Sequence, residues 1–151
     1  MSYAMNVKNF FNKTGSTLLD AVKKFKNKNF MEAIVAGCAL VAAADGQISS
    51  EEKQKMSGYI GRSEELKVFD MNEVITSFNK FVGNFEFDHG VGKAEALKVI
   101  GKFKDNSEVA RVIVSVCCAI GAADGDFDSK EKEVVRDICR TLNLNPADFQ
   151  L

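Results

Sequence analysis

The 151-residue sequence predicts an all-α protein, a single compact bundle of about seven to eight helices with an approximate internal duplication of a helix-turn-helix unit. Apolar residues recur at helical spacing along most of the chain, whereas the alternation of apolar and polar residues that is typical of strands is missing. The duplication is visible directly, because residues 38–53 return as residues 117–132 with eight of sixteen positions identical.

Length and composition are those of one globular domain. A chain of this length buries about two thirds of its unfolded surface, so it needs neither a disulfide nor a metal to fold. We expect a flexible basic segment at 1–13, followed by one all-helical domain at 14–151. The longest apolar run, at 34–44, is far shorter than the roughly 20 residues that span a bilayer, and no secretion signal is indicated.

The first half of the chain predicts three helices that are separated by polar turns. Ser16 can cap a first helix, and a long apolar helix at about 29–45 follows it. Gly46 is expected to end this helix, because glycine adopts the left-handed conformation without a side-chain clash. Ser49 and Glu52 have the spacing of a capping box, in which each side chain accepts a hydrogen bond from the other residue's backbone N–H.

The middle of the chain predicts two further helices before the second copy begins. Asp70 caps the first of them, and the polar segment at 89–92 is expected to end it. The other is expected at about 93–104. After Asn106 the second long apolar helix begins, and Gly125 ends it as Gly46 ends its counterpart.

The second copy then repeats the polar exit of the first. Asp128 replaces Ser49 as the helix cap, and Glu131 again occupies the third helical position. A last single turn begins at Pro146, since proline at the first helical position loses little by having no N–H. Two copies of this unit predict a bundle with internal pseudosymmetry rather than a solenoid.

The two acidic turns are the candidate functional site. Asp45 and Asp124 lie in the last turn of their helices, where the macrodipole disfavours a carboxylate by about 0.3 to 1 kcal/mol. One explanation is structural: each aspartate accepts hydrogen bonds from the following loop, and the two glutamates only cap helices. The other is a divalent cation, because Ca²⁺ and Mg²⁺ prefer oxygen ligands. The candidate metal ligands are Asp45, Glu52, Asp124, Asp126, Asp128 and Glu131.

The second turn is the more acidic of the two. Its carboxylates repel one another unless a cation or the neighbouring Lys130 and Lys132 compensate them. The first turn has Gln47 where the second has Asp126, and Ser49 where the second has Asp128. We therefore do not expect equal metal affinity at the two turns.

Charge is unevenly distributed along the sequence. Residues 1–30 contain six lysines and one acidic residue, so this segment has a net charge of +5 in a chain whose net charge is -1. The segment from Lys8 to Lys28 is either an amphipathic element that binds an anionic membrane surface or a first helix docked on the core. Nucleic acid is not expected as a partner, because the acidic remainder repels phosphate.

The four cysteines lie on apolar helical stripes and lack paired C-x-x-C spacing. This pattern predicts buried free thiols rather than zinc ligands or a secreted disulfide framework. With a single histidine, His89, the chain has little material for a histidine-activated nucleophile. No glycine-rich phosphate loop follows a strand, so the sequence does not indicate an enzyme.

The doubled Ala-Asp-Gly turns with Glu52 and Glu131, their helical surroundings and the chain length resemble the TerB tellurite-resistance family, over about residues 25–151. The resemblance implies an all-helical domain in which Asp45, Glu52, Asp124 and Glu131 are suspected metal ligands. It also implies a bacterial stress system that includes a TerC-like membrane protein and TerD-like calcium-binding proteins. We therefore expect a non-enzymatic cytoplasmic protein, peripheral at the inner membrane, that supports tellurite resistance.

Two alternatives to this function stay open at the level of sequence. In the first, the cysteine thiols reduce tellurium oxyanions, which would require exposed thiols with a lowered pKa. In the second, the chain is a structural interaction scaffold that binds no metal.

Overall fold

The computed structural model describes residues 17–123, 125 and 127–151, and within these residues it contains seven α-helices and no strand. This confirms the predicted all-α class. Short 3-10 turns at Leu66–Val68 and Pro146–Phe149 complete the secondary structure. The helices are α1 (Leu18–Lys24), α2 (Lys28–Ala42), α3 (Ser50–Arg62), α4 (Met71–Phe87), α5 (His89–Gly101), α6 (Ser107–Gly121) and α7 (Ser129–Thr141). The basic segment predicted at 1–13 and the cap predicted at Ser16 lie outside the described residues.

Helix α2 forms the centre of the bundle. Twelve of its fifteen residues are buried, and it packs against α3, α4, α5, α6 and α7. Its alanines and Gly37 allow close approach of the neighbouring helices; a Cβ atom at Gly37 would collide with Sγ of Cys117 on α6. A helix that is apolar on nearly all sides is stable only in such a surrounded position.

The duplication in the sequence is also a duplication of the fold. Helices α2 and α6 have the same bounds after a shift of 79 positions, and so do α3 and α7. The glycines after α2 and α6 both adopt positive φ, +96° at Gly46 and +79° at Gly125, as predicted. Capping boxes begin both α3 and α7, formed by Ser49 with Glu52 and by Asp128 with Glu131. The same polar residues therefore close the same helix-turn-helix corner twice.

The two copies meet along their first helices, α2 and α6. Cys38 and Cys117 occupy equivalent positions in the two helices, and their side chains interact with each other. The helices run in the same direction: the Phe30 ring near the start of α2 lies 6.4 Å from the ring of Phe103, shortly before α6, and both helices end beside one cavity. The starting ends of α2 and α6 therefore lie together at one end of the bundle, and their last residues lie together at the other.

The predicted boundary between the two middle helices is wrong. The segment at 89–92 does not separate them; α4 ends at Phe87, and α5 begins at His89. Asp88 alone makes the corner, and its side chain accepts a hydrogen bond from the backbone N–H of Val91 at 2.9 Å. Gly92 lies within α5, where the helix packs closely on α4. Glycine fits this position because a Cβ atom would collide with Phe85.

Smaller differences concern helix ends. Thr17 caps α1, with its side chain accepting from the N–H of Asp20 at 3.0 Å. Helix α2 begins after its cap Asn27 and ends at Ala42, so the expected last turn up to Asp45 is a non-helical turn. No helix in the part of the chain that the structure describes is both long and apolar enough to cross a membrane.

Candidate functional site

The two duplicated corners meet at a single cavity of about 190 Å³, which we call the corner cavity. Helix ends Ala42 and Gly121, one from each copy, contribute to its apolar wall. Its polar lining consists of Asp45, Glu52, Lys55, Tyr59, Asp128 and Glu131. Four of the six candidate metal ligands thus line one cavity, whereas Asp124 and Asp126 lie outside the described residues.

The backbone of each corner explains why these side chains converge. The Gly46 N–H donates to the carbonyl of Ala43 at 2.9 Å, and the Gly125 N–H donates to the carbonyl of Ala122 at the same distance. In each copy the left-handed glycine then reverses the chain, so that the next helix begins beside the end of the previous one. The C-terminal ends of α2 and α6 and the N-terminal turns of α3 and α7 all border the cavity.

Both glutamates have the structural role that the sequence predicts for them. An Oε1 atom accepts from the cap residue's N–H at 3.1 Å in each copy, in Glu52 from Ser49 and in Glu131 from Asp128. In return, Ser49 Oγ and Asp128 Oδ1 accept from the N–H groups of the glutamates at 3.1 and 2.8 Å. A carboxylate has two oxygens and about four acceptor positions, so capping and cation binding by one glutamate are compatible.

Two lysines bring positive charge to the corner cavity. Lys130 Nζ lies 3.6 Å from Asp45 Oδ1, and this ion pair joins the second copy to the first rather than neutralising its own turn. Both side chains are more than half exposed, so the pair contributes at most about 1 kcal/mol. Lys55 lines the cavity from α3. Lys55 is not among the predicted site residues, although its spacing of three residues from Glu52 places both on one helical face.

The cavity is not symmetric, because the two copies pack differently. Helix α7 packs against α2, and the Ile138 side chain lies 3.7 Å from the position that a Cβ atom at Gly37 would take. Between the described helices α3 and α6 there is no packing of comparable extent. A second cavity of about 340 Å³ separates them instead, and Tyr59 lines both cavities.

The chemistry of the corner cavity fits a hard cation, although the described side chains are not already gathered as a coordination sphere. Four carboxylate groups line the cavity, and two lysine ammonium groups lie at or beside it. The carboxylates offer oxygen ligands, which Ca²⁺ and Mg²⁺ prefer. Among residues 17–123, 125 and 127–151, no three His, Cys, Asp or Glu side chains lie close enough together to hold a metal ion. That these residues bind a cation stays a prediction.

All four cysteines are buried and free, as the sequence predicted. The interaction with Cys38 and burial raise the pKa of Cys117 well above its ordinary value. Burial, together with the nearby Cys117, raises the pKa of Cys139 to about 12. Thiolates are the reactive form of cysteine, so both environments disfavour thiol chemistry.

Comparison with known proteins gives a family. Residues 31–151 match the family model described as tellurite resistance protein TerB. The chain is 47% identical over 116 residues to a protein from Alcaligenes sp. named tellurium resistance protein TerB, and this match covers 77% of the chain and 95% of that protein. No solved structure matched the chain. The duplicated acidic corners therefore belong to a member of the TerB tellurite resistance family.

Proposed function

We propose that this protein supports tellurite resistance as a non-enzymatic module that binds a divalent cation, Ca²⁺ or Mg²⁺, between its two acidic corners. Membership of the TerB family supports the role in tellurite resistance. The observation that carries the cation proposal is the convergence of carboxylates from both copies on one cavity. Like charges concentrated in this way repel one another, and a cation between them would relieve that repulsion.

The proposal requires a modest rearrangement on binding. The described carboxylates line the cavity without forming a three-ligand cluster, so a cation would draw α3 and the end of α6 together. The open packing between these two helices supports such a movement. Asp124 and Asp126, which lie between α6 and α7 in the sequence, are further candidate ligands.

We further propose that the protein works in the cytoplasm, in a complex at the inner membrane face. The partners in this proposal are a TerC-like membrane protein and TerD-like calcium-binding proteins, which rest on family resemblance alone.

The test is a cation titration that separates charge from capping. In a Glu52→Gln, Glu131→Gln variant, the amide oxygens keep both capping boxes, whereas two negative charges leave the cavity. We expect wild type to bind Ca²⁺ or Mg²⁺ with 1:1 stoichiometry, and the variant to bind it at least about tenfold more weakly, because the loss of charged ligands lowers affinity. Calorimetry gives the affinity, and amide chemical shifts locate the response.

A matched control removes the same charge elsewhere. Glu86 and Glu95 are exposed on α4 and α5 and line none of the cavities described above. Glu86→Gln with Glu95→Gln should leave cation affinity within about twofold, since only screened long-range attraction changes. Equal loss in both double variants, or amide shifts spread over the whole acidic surface, would contradict a site at the corner cavity.

The two alternatives predict different results. Reduction of tellurium oxyanions by thiols requires accessible thiolates, and the burial of all four cysteines argues against it. In cells that carry the chain with all four cysteines replaced, and with its helical circular dichroism retained, resistance would be kept under the cation proposal and lost under thiol reduction. A scaffold without metal predicts that a chelator changes neither thermal stability nor partner binding.

A further inference from the structure

A second charged surface lies at the opposite end of the two central helices. Helices α2 and α6 both end at the corner cavity, and their starting ends lie together about 20 Å away, at 1.5 Å per residue. There, the Phe30 ring is 6.4 Å from the Phe25 ring and 6.4 Å from the Phe103 ring. These contacts bring the end of α1 beside the connection between α5 and α6.

We call this surface the basic end. Its aromatic residues, Phe25 and Phe103, are half-buried, and its lysines are exposed. It consists of Phe25, Phe103, Lys24, Lys26, Lys28, Lys102 and Lys104. Segments 23–30 and 101–108 together contain six lysines against two acidic residues, Asp105 and Glu108.

The charge of the basic end is partly neutralised within the protein. Lys28 lines a surface pocket that Glu32 and Glu73 also line. Glu108 pairs with Lys24, Nζ to Oε1 at 3.2 Å, with both side chains about two thirds exposed. The nearby Asp70 caps α4, where its side chain accepts from the N–H of Asn72 at 2.8 Å. The N-termini of α2 and α6 add the positive ends of two parallel helix dipoles. The basic end therefore attracts anions, and it lies at the end of the bundle opposite the acidic corner cavity.

We infer that the basic end docks on an anionic phospholipid surface, with lysine ammonium groups at the headgroup phosphates and Phe25 and Phe103 at the interface. Charge complementarity and the aromatic residues between the lysines carry this inference: each lysine near an anionic membrane strengthens binding about fivefold, and aromatic rings favour the interfacial layer. The docked protein would direct the corner cavity away from the membrane. The inference deepens the membrane part of the proposed function and is independent of cation binding.

The first experiment measures cosedimentation of the full chain with vesicles, in the presence of chelator. Wild type should bind vesicles that contain phosphatidylglycerol and should not bind pure phosphatidylcholine vesicles. Lys102→Gln with Lys104→Gln should weaken binding by roughly 30-fold, as expected for two lysines at the surface. The matched control is Lys53→Gln with Lys132→Gln, equivalent positions beside the two corners that lower the net charge equally; it should change binding less than about twofold.

The second experiment uses the absence of tryptophan from the sequence. A Phe103→Trp variant reports fluorescence from the basic end alone, and its emission should shift to the blue with phosphatidylglycerol vesicles. The control is Phe87→Trp, at a side chain that is 82% exposed. Phe87 is the last residue of α4, about 24 Å along the helix from its first residue, Met71. Its emission should not shift.

Four results would overturn the inference. Equal weakening by both lysine pairs would mean that net charge alone governs binding. A blue shift at position 87 without one at position 103 would place the membrane contact at the end of α4 instead. Loss of binding only in a Lys8→Gln, Lys13→Gln variant would place the contact in the N-terminal segment. Tighter binding to single-stranded RNA than to vesicles at the same salt, through Lys102 and Lys104, would assign the surface to nucleic acid. A failed vesicle experiment alongside a successful cation titration removes only this inference.

Discussion

The two copies of the helix-turn-helix corner share a backbone but differ in how their second helices pack. Helix α7 packs against α2 with Ile138 fully buried, whereas the equivalent residue on α3 is Tyr59, which is half-buried and lines two cavities. Lys55 likewise stands where the second copy has Val134. The corner itself requires only a left-handed glycine, a cap residue and a glutamate. The comparison teaches that a few polar residues determine the turn, while the apolar face of the following helix determines whether the bundle closes over it.

The largest expected effect concerns the contact between the two central helices. Gly37 of the first copy corresponds to Val116 in the second, and only glycine leaves room there for Cys117. Gly37→Ala should lower the free energy of unfolding by about 1 to 3 kcal/mol, the usual cost of overpacking a core, despite the better helix propensity of alanine. Urea denaturation measures the change.

The matched test is rescue by removal of the colliding atom. Cys117→Ala should cost stability by itself, because it leaves a cavity, but in the Gly37→Ala background it should cost less or restore stability. Additive costs of the two substitutions would mean that steric overlap with Sγ is not the reason for Gly37.

A smaller effect tests whether the two corners are equally strained. Gly46 and Gly125 have positive φ and open space around the Cβ position, so alanine there costs only the left-handed conformation, about 1 to 2 kcal/mol. Gly83, in the exposed interior of α4, also has open space, and Gly83→Ala should stabilise the protein by about 1 kcal/mol. A cost at one corner only would show that the other turn can adopt a different backbone.

The last effect is zero at neutral pH and appears only in alkali. Cys139 stands where the first copy has Ile60, and burial raises its pKa to about 12 from an ordinary value of 9.0. Between these values the unfolded chain loses the proton and the folded chain keeps it, so the free energy of unfolding should fall as pH rises from 9 towards 12. Below pH 9 the thiol contributes no pH dependence.

The control is Cys139→Ala, which cannot ionise. Its stability should be lower at pH 7, because a buried atom is lost, but should fall less steeply than that of wild type above pH 9. Parallel curves for both proteins in this range would contradict the retained proton and would assign the alkaline loss to other groups.

Local polar chemistry could be predicted from the sequence, whereas contacts between elements could not. The caps at Asp70 and Asp128 and the glycine at position 46 each depend on residues within one turn, and all are confirmed. The start of α5 was wrong because Gly92 usually weakens a helix, and the reason for it here is the ring of Phe85 on another element.

The candidate site likewise has features that the sequence predicts and features that depend on helix packing. Duplication in the sequence indicates that two acidic turns belong together, and four of their carboxylates do line one cavity. The pairing of Lys130 with Asp45 and the position of Lys55 depend on how α3 and α7 pack, which periodicity along one helix does not determine.

The burial of every cysteine has a consequence for a protein of a tellurite resistance family. Tellurium oxyanions oxidise thiols, so a protein with accessible cysteines would be modified in proportion to the amount of oxyanion present. Here, all four cysteine thiols are buried, so an oxidant reaches them when the bundle unfolds locally or globally. The rate of cysteine modification during tellurite exposure would therefore measure how often the bundle unfolds. A more stable fold would be modified more slowly.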